Sequence, residues 1–275
     1  MEKALEVIFG VPGSIPGVQS AFRVRFALPD HMTDTAKLAI FKAQTANVKA
    51  FERAWRIIKR SIHAALAKDD FSSAEIHTRL LALTYSAWAE ALLSKLIHTP
   101  YGFDAHEISQ IKSAGKDGIS NCWRKCIELA LNRVAASKSN HLPNATQTLN
   151  RLVLEFVETP SLLRNKLAHG QLVIALNREN TAVNNDLTNE IAELDVVKID
   201  RLHEAMQGLS DIIEAIIESP QKGALRDYWK LLSAVTNRLD ETRGYSIADK
   251  AQQLKSKRAR TVVCEIQRIP NASRS

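Results

Sequence analysis

Cysteine is scarce in this sequence. Only Cys122, Cys126 and Cys264 occur among 275 residues, too few for the disulfide framework of a small secreted domain or for a four-ligand zinc site. Cys122 and Cys126 stand four residues apart on a predicted helix, but no nearby histidine or cysteine completes a metal site. We interpret all three as ordinary thiols and expect neither a metal nor a cofactor.

Long apolar runs and leader patterns are also missing. No stretch of eighteen apolar residues occurs, and the N-terminus does not combine a basic region, an apolar block and a cleavage site. We expect a soluble, cytoplasmic protein with no membrane partner. Glycine-rich phosphate loops, serine nucleophile elbows and metalloprotease helices are absent too, so none of those motifs identifies an activity.

The few glycines and prolines lie between stretches of helical periodicity, which predicts an all-α fold of helices joined by defined turns. Segment 177–189 is polar and is predicted to be a loop. The predicted helices are Thr33–Ala67, a second from a Ser72 or Ser73 cap to Pro100, 120–136, 145–158, a short helix from Pro160 to Gly170, one from Asp195 to Pro220, and 224–254.

Two of these helices carry apolar stripes that predict how they pack. The second helix places Ile76, Leu80, Leu83, Ala87 and Ala91 on one predicted core face. The helix from Asp195 repeats Ile199, Leu202, Met206, Leu209, Ile213 and Ile216 at strict three- and four-residue intervals, a seam that requires a helical partner along its length and resembles a dimer interface. Trp55, Trp88, Trp123 and Trp229 are predicted core residues.

The chain ends differ from the middle. Phe22–Leu28 alternates apolar and basic residues, as a half-buried strand does, and Ala4–Phe9 and Thr261–Ile266 also favour strands. These runs predict a small β-sheet at joined termini. We divide the chain into an N-terminal extension (1–70), a helical core (71–220), and a C-terminal helix with a basic tail (221–275).

The charge balance favours an anionic partner. Lysine and arginine number 37 against 30 acidic residues, giving a net charge of +7, which suits nucleic acid without identifying it. Residues 254–275 contain six of the basic residues and one acid, Glu265. That tail is either a solvated segment or an RNA contact.

The segment Leu162–Gly170 combines the groups that RNA cleavage requires. On a helix, Leu163 and Leu167 would face the core, while Asn165 and His169 share another face. Arg164 can reach the same cleft through its long side chain. An imidazole can move protons to and from the 2′-hydroxyl and the leaving oxygen, and a guanidinium neutralises phosphate charge. No metal is needed, because the 2′-hydroxyl is the nucleophile.

The run Arg-Asn-Lys-Leu-Ala-His-Gly, residues 164–170, resembles the motif of the HEPN superfamily, in which an arginine and a polar residue precede a histidine by a few positions. The resemblance covers about residues 71 to 218. It implies a helical bundle that dimerises so that two motifs line one cleft, and a metal-independent endoribonuclease of toxin–antitoxin, phage-defence or RNA-processing systems. The ends of the chain would be additions to that bundle.

The resemblance carries over Arg164 and His169 as catalytic residues and Asn165 as the residue that orients the histidine or contacts phosphate. Glu90, on the stripe of the second helix, is the predicted partner of Arg164. The basic residues Lys166, Lys257, Arg258 and Arg260 are predicted RNA contacts.

Two alternatives stay open. The chain could be a non-catalytic HEPN module that binds RNA, nucleotide or protein, or a structural protein whose Ile199–Ile216 seam is its purpose. In the latter, Arg164 pairs with an acid and His169 simply ends a helix. The sequence is compatible with an antitoxin or regulatory partner, but no residue pattern in it indicates one.

Overall fold

Helices form almost all the regular structure of the chain in a computed structural model that describes residues 33–134, 141–220 and 224–268. Within these ranges there is no strand longer than a single bridge, so the all-α prediction is confirmed for them. The α-helices are α1 Asp34–Leu66, α2 Phe71–Ile97, α3 Ala105–Ala114, α4 Ile119–Asn132, α5 His141–Val153, α6 Thr159–Ala168, α7 Asn185–Ala192, α8 Val196–Glu218, α9 Ala224–Glu241 and α10 Ile247–Arg268.

The first helix follows its sequence pattern closely. The Thr33 hydroxyl accepts a hydrogen bond from the Ala36 N–H at 3.2 Å and caps α1. Trp55 and Ile62 are buried, as their spacing predicts, and α1 packs lengthwise against α2. The short turn between the two helices makes them an antiparallel pair.

The prediction for α2 is wrong in its start and in the first half of its stripe, whereas Leu83 packs against the core and Ala91 is buried. The helix is capped by Asp70, whose carboxylate accepts from the Ser73 N–H at 3.1 Å, and not by Ser72 or Ser73. Ile76 and Leu80 are 55% and 43% exposed. Apolar residues occur on every side of this helix, so its sequence is compatible with more than one core-facing stripe. Packing against α1, α6 and α8 determines which face is buried. The buried face includes Ala74, Thr78, Leu81, Tyr85, Trp88, Leu92 and Leu96.

By length and composition alone, α2 is also apolar enough to cross a membrane. However, 61% of its most apolar window is buried inside the fold. A core helix of a soluble protein passes the same test, so this feature is weak support for a membrane role.

The seam on α8 is buried within the chain. The helix starts at the predicted place, and Asp195 caps it by accepting from the N–H groups of Val197 and Lys198, both at 2.8 Å. The seam residues Ile199 and Ile213 are buried against α2, α4 and α9. Its interpretation as a dimer-like interface is therefore wrong, because helices of the same chain already cover it.

Helices α5 and α6 run into each other through a π-helical turn at Leu154–Glu158. Pro160 has no N–H and therefore cannot close the α-helical bond to the Phe156 carbonyl. The single O–H of Tyr85 is shared between that carbonyl oxygen, at 3.5 Å, and the Leu202 carbonyl oxygen, at 3.4 Å. The predicted break before Pro160 is thus a local widening of one helix, a feature that is frequent at functional sites.

The C-terminal region departs most from its predictions. Gly244 lies in a turn that divides the predicted helix 224–254 into α9 and α10. Thr261–Ile266 is helical, so the strand predicted there is wrong, while Ala4–Phe9 and Phe22–Leu28 lie outside the described residues. Trp229 is 46% exposed, and its neighbour Tyr228 is buried instead.

Two further elements were not predicted. Helix α3 begins with a capping box in which Asp104 and Glu107 each accept from the other's N–H at 2.8 Å. Helix α7 occupies part of the predicted loop 177–189, and the remainder includes a bridge between Leu176 and Val183. One hydrophobic cluster joins helices from α1 to α10 across all three segments of the predicted division.

Candidate functional site

The HEPN-like segment ends α6 in a regular Schellman motif. Gly170 adopts φ +80°, as expected of the glycine predicted to terminate the helix. Its N–H donates to the Leu167 carbonyl at 3.0 Å, and the Gln171 N–H donates to the Lys166 carbonyl at 3.0 Å. His169 is the C-cap residue of α6, and its N–H donates to the Asn165 carbonyl at 3.1 Å. The backbone around the histidine is therefore well fixed.

The two predicted faces of α6 are confirmed. Leu167 is buried and Leu163 packs partly against the core, while Asn165 and His169 are exposed. No described contact engages the side chain of Asn165 or His169. The backbone of Arg164 lies in α6, but its side chain is outside the described part of the structure. Its place in a common cleft with His169 stays a prediction.

Lys166 has a structural role in the chain. Its ammonium donates to the Leu176 carbonyl at 2.6 Å and approaches the Asn177 carbonyl at 3.5 Å. These bonds tie α6 to the bend that follows it. RNA contact by Lys166 stays a prediction, and it competes with these bonds, because the charged end of the side chain is turned towards backbone oxygens of its own chain.

The segment after the motif exposes apolar side chains. Val173, Ile174 and Val183 are 58%, 52% and 52% exposed, although Ala175 between them is buried. Leu154, on the π turn, is 50% exposed. Exposed apolar side chains that are close together mark surfaces suited to binding.

Glu90 does not lie on a core face. It is exposed between buried Ala89 and Ala91, which corrects its predicted placement away from solvent. The residue does take part in an interaction. Its predicted pairing with Arg164 is neither supported nor opposed by the described contacts, and stays a prediction.

The basic residues of α10 lie along the C-terminal end of α1. Arg258 donates to the Ala67 carbonyl at 3.4 Å, and Lys255 pairs with Asp69 at 2.5 Å. Lys257 is exposed and takes part in an interaction of its own. The side chain of Arg260 is outside the described residues. This helix is therefore held to the fold by part of its positive charge.

Three histidines outside the predicted site have strongly lowered pKa values. Burial lowers the pKa of His63, His98 and His203 to about 4. His203 lies between two indoles, with ring centroids 4.4 Å from Trp55 and 4.1 Å from Trp88. Their spacing along the chain gives no sign of this, because the partners come from different helices.

Across the described ranges, no group of three histidine, cysteine or acidic side chains is placed to hold a metal ion. Burial raises the pKa of Cys122 and of Cys126, which disfavours the thiolate form that binds metals. Two surface depressions, between α8 and the turn before α10 and between α4 and α5, lie away from His169.

No family model matches this sequence, and comparison with curated proteins and with solved structures gives no match either.

Proposed function

We propose that the chain is a metal-independent endoribonuclease of the HEPN type. The observation that supports this most is the exposed pair Asn165 and His169 on one face of a firmly capped helix end, in the sequence 164–170. A histidine that served only to end α6 would not need this polar neighbour one turn earlier. Exposure leaves both side chains accessible to a polymer.

The proposed chemistry uses the RNA 2′-hydroxyl as nucleophile. The imidazole of His169 moves the protons: one leaves the 2′-oxygen as it bonds to phosphorus, and one reaches the 5′-oxygen as the P–O5′ bond breaks. Arg164 neutralises the charge that develops on the phosphate, and Asn165 orients the histidine or contacts phosphate. The products are a 2′,3′-cyclic phosphate and a 5′-hydroxyl.

A homodimer would bring two copies of the motif into one cleft, as the HEPN resemblance implies. The buried α8 seam cannot supply that interface. The exposed apolar residues that precede and follow α6 in the sequence are better suited to it: Leu154, Val173, Ile174 and Val183. A toxin or defence effector with an antitoxin or regulatory partner is the biological setting that the resemblance suggests.

The test is cleavage of a mixed RNA pool in EDTA by the wild type and by the Arg164→Ala and His169→Ala variants. Matched controls are Arg53→Ala and His106→Ala, which change exposed residues of the same types elsewhere. We expect both motif variants to lose at least about a hundredfold in rate and both controls to cleave normally, since proton transfer alone contributes that much.

Equal cleavage by the motif variants and the wild type would contradict the proposal. Absence of cleavage in every protein, together with RNA binding, would favour the non-catalytic HEPN module instead. The structural-protein alternative is less favoured, because the α8 seam on which it depends is already covered within the chain.

A further inference from the structure

The outer face of α1 carries a straight row of basic side chains. Successive residues of an α-helix are about 100° apart around its axis and about 1.5 Å apart along it. With this geometry, five exposed basic residues fall within about 60° of one another and extend about 27 Å along α1: Lys42, Lys49, Arg53, Arg56 and Arg60. They lie opposite the buried face that includes Trp55 and Ile62. We call these five residues the basic stripe.

The charge of the basic stripe is largely unbalanced within the described residues. None of its members takes part in an ion pair there, and the one described bond from their side chains joins Arg60 Nε to the Arg56 carbonyl at 3.2 Å. Glu52 is the one acid between residues 42 and 60, and no described ion pair involves it. Lys59 is paired with Asp200 of α8 at 2.6 Å and is not part of the stripe. Five positive charges thus stand against one carboxylate in this part of α1.

The arrangement of these charges costs helix stability. Within the basic stripe, two pairs of residues are four apart and one pair is three apart, and like charges at these spacings destabilise an α-helix. Elsewhere the chain uses the same spacings for opposite charges: Arg79 pairs with Glu75, and Lys125 pairs with Glu128 at 2.7 Å. A polyanion bound along the stripe would replace this repulsion with attraction.

The other face of α1 argues against a membrane as that polyanion. A helix that lies on a membrane surface inserts a free apolar face between the lipids. In α1 this face, with Trp55 and Ile62, is buried against α2. Ile57 is the one large apolar residue exposed between residues 42 and 60. A membrane would therefore be held by charge alone.

A nucleic-acid backbone matches the basic stripe in charge and in length. Phosphates follow one another about every 3.4 Å along a stacked strand, so about eight of them accompany a stripe of about 27 Å. Three of the five stripe residues are arginines, and a guanidinium can hold two phosphate oxygens at once. Ala46 and Ala50, which are exposed beside the stripe, leave room for a strand to approach the helix.

We propose that the basic stripe binds the phosphate backbone of RNA, at a site separate from the motif on α6. The choice of RNA over DNA rests on the proposed function, but no residue of α6 takes part. The stripe belongs to the N-terminal extension (1–70), outside the region that resembles HEPN. Contacts to phosphate carry no sequence information, so α1 supplies affinity for RNA of any sequence.

The first test measures binding without cleavage. A fully 2′-O-methylated single-stranded RNA has no 2′-hydroxyl to act as nucleophile, and its binding is followed by fluorescence anisotropy. The wild type is compared with the stripe variant Lys49→Gln/Arg53→Gln/Arg56→Gln. We expect the stripe variant to bind at least about tenfold more weakly at physiological salt, because three phosphate contacts are lost.

The control variant removes the same amount of charge from scattered positions. It carries the changes Lys116→Gln, Arg151→Gln and Lys230→Gln, all at exposed residues outside α1. It should bind nearly as tightly as the wild type, because isolated charges do not form a line of phosphate contacts. Equal losses of affinity in the stripe and control variants would overturn the proposal, since net charge alone would then explain them.

Salt dependence counts the phosphate contacts that are lost. Each contact with a single strand contributes about 0.7 to the steepness of log affinity against log salt, so the stripe variant should have a slope about 2.1 shallower than the wild type. Unchanged affinity and an unchanged slope would overturn the proposal.

Folding of the stripe variant is measured separately. Glutamine has nearly the helix propensity of lysine and arginine, and the three changes remove like charges from α1. Circular dichroism should therefore be unchanged, and urea unfolding at low salt should show a fold at least as stable as the wild type. A clearly less stable stripe variant would contradict the repulsion inferred along α1.

Two further ligands test the assignment to RNA. If vesicles of phosphatidylserine bind the wild type but not the stripe variant, and both bind RNA equally, a membrane and not a nucleic acid is the ligand. Tighter binding of a single-stranded DNA than of an RNA of the same sequence would overturn RNA as the ligand.

The two proposals fail separately. A chain that binds RNA through the basic stripe but never cleaves it would contradict the nuclease and leave the stripe standing. A chain that cleaves RNA, and whose stripe variant binds normally, would contradict the stripe and leave the nuclease standing. If both hold, the stripe variant should have a raised KM and an unchanged kcat, because contacts remote from the reacting phosphate act equally on bound substrate and transition state. For the same reason, Arg53→Ala should cleave normally at saturating RNA.

Discussion

The imidazole of His203 stacks on the indole of Trp88, with ring centroids 4.1 Å apart and planes inclined by 25°. Trp55 covers the other face of the imidazole at 4.4 Å. The stack joins α8 to α2 and α1, and it buries a titratable ring at the contact of three helices. Burial lowers the pKa of His203 to about 4, and the charge of Lys59 lowers it further.

This relationship predicts an acid-sensitive fold. In the unfolded chain His203 takes up its proton near its usual pKa of about 6.5, whereas the folded chain resists protonation down to about pH 4. Its contribution is therefore complete above about pH 6.5 and is lost as the pH falls towards 4. At about 1.4 kcal/mol per pH unit, the loss reaches up to about 3 kcal/mol.

Urea unfolding between pH 7 and pH 4 measures this effect. The His203→Phe variant keeps an aromatic ring in the stack and should lose less stability over that range than the wild type. Since His63 and His98 respond in the same direction, the variant should still lose some. Identical pH profiles for the two proteins would contradict the role given to His203.

The Tyr85 hydroxyl and Pro160 are expected to be coupled through the Phe156 carbonyl. Tyr85→Phe should lower the free energy of unfolding by about 1 kcal/mol, because that carbonyl loses a buried donor. In a Pro160→Ala background the new N–H can serve the same oxygen, and the Tyr85 change should cost little. A double-mutant cycle by chemical denaturation checks this, and additive effects would count against it.

Gly170 is predicted to matter for its backbone conformation and not because a side chain would lack space. A Cβ at this position would meet no atom within 4 Å, but its φ is +80°. Gly170→Ala should therefore cost about 1 kcal/mol. Gly244→Ala is the control, since this position is equally open and its φ lies outside the left-handed region; it should change stability by only a few tenths of a kcal/mol. Thermal unfolding of both variants measures these losses of stability, and equal losses would contradict the backbone explanation for Gly170.

Lys166 is predicted to hold the bend after α6. Lys166→Met keeps most of the apolar stem and removes the donor to the Leu176 carbonyl, so it should cost about 1–2 kcal/mol. Protease cleavage within residues 171–184 should become faster. The slope of log RNA affinity against log salt should stay the same, and a loss of about 0.7 in that slope would support Lys166 as an RNA contact.

The sequence predicted best those helices whose caps and apolar faces agree. The starts of α1 near Thr33 and of α8 near Asp195 were predicted, and Gly170 was predicted as the end of α6. Each signal is local and has one physical reading: a side chain that accepts helix N–H groups, or a glycine that takes a positive φ. The exposed pair Asn165 and His169 follows from the same helical spacing.

Predictions failed where the local sequence allowed more than one structure and tertiary packing determined which one formed. The stripe through Ile76 and Leu80 was as apolar as the face that packing buried. Thr261–Ile266 favours strands by composition, but it continues a helix that Ser246 and Asp249 cap, and β-branched residues cost a growing helix only tenths of a kcal/mol each.

The stack of His203 between Trp55 and Trp88 could not be found from the sequence. The three rings belong to α8, α1 and α2, and only the packing of these helices brings them together. By contrast, α3 had a readable signal, because Asp104 and Glu107 have the spacing of a capping box.

The central claim is that this chain cleaves RNA through the 2′-hydroxyl with His169. Its most direct test incubates one RNA oligonucleotide and its fully 2′-O-methylated counterpart with wild type and His169→Ala in EDTA, with the products identified by mass spectrometry. We predict that only the wild type cleaves, only the unmodified RNA is cut, and the fragments carry 2′,3′-cyclic phosphate or its opened form. Cleavage of the methylated strand, or equal cleavage by His169→Ala, would contradict the claim.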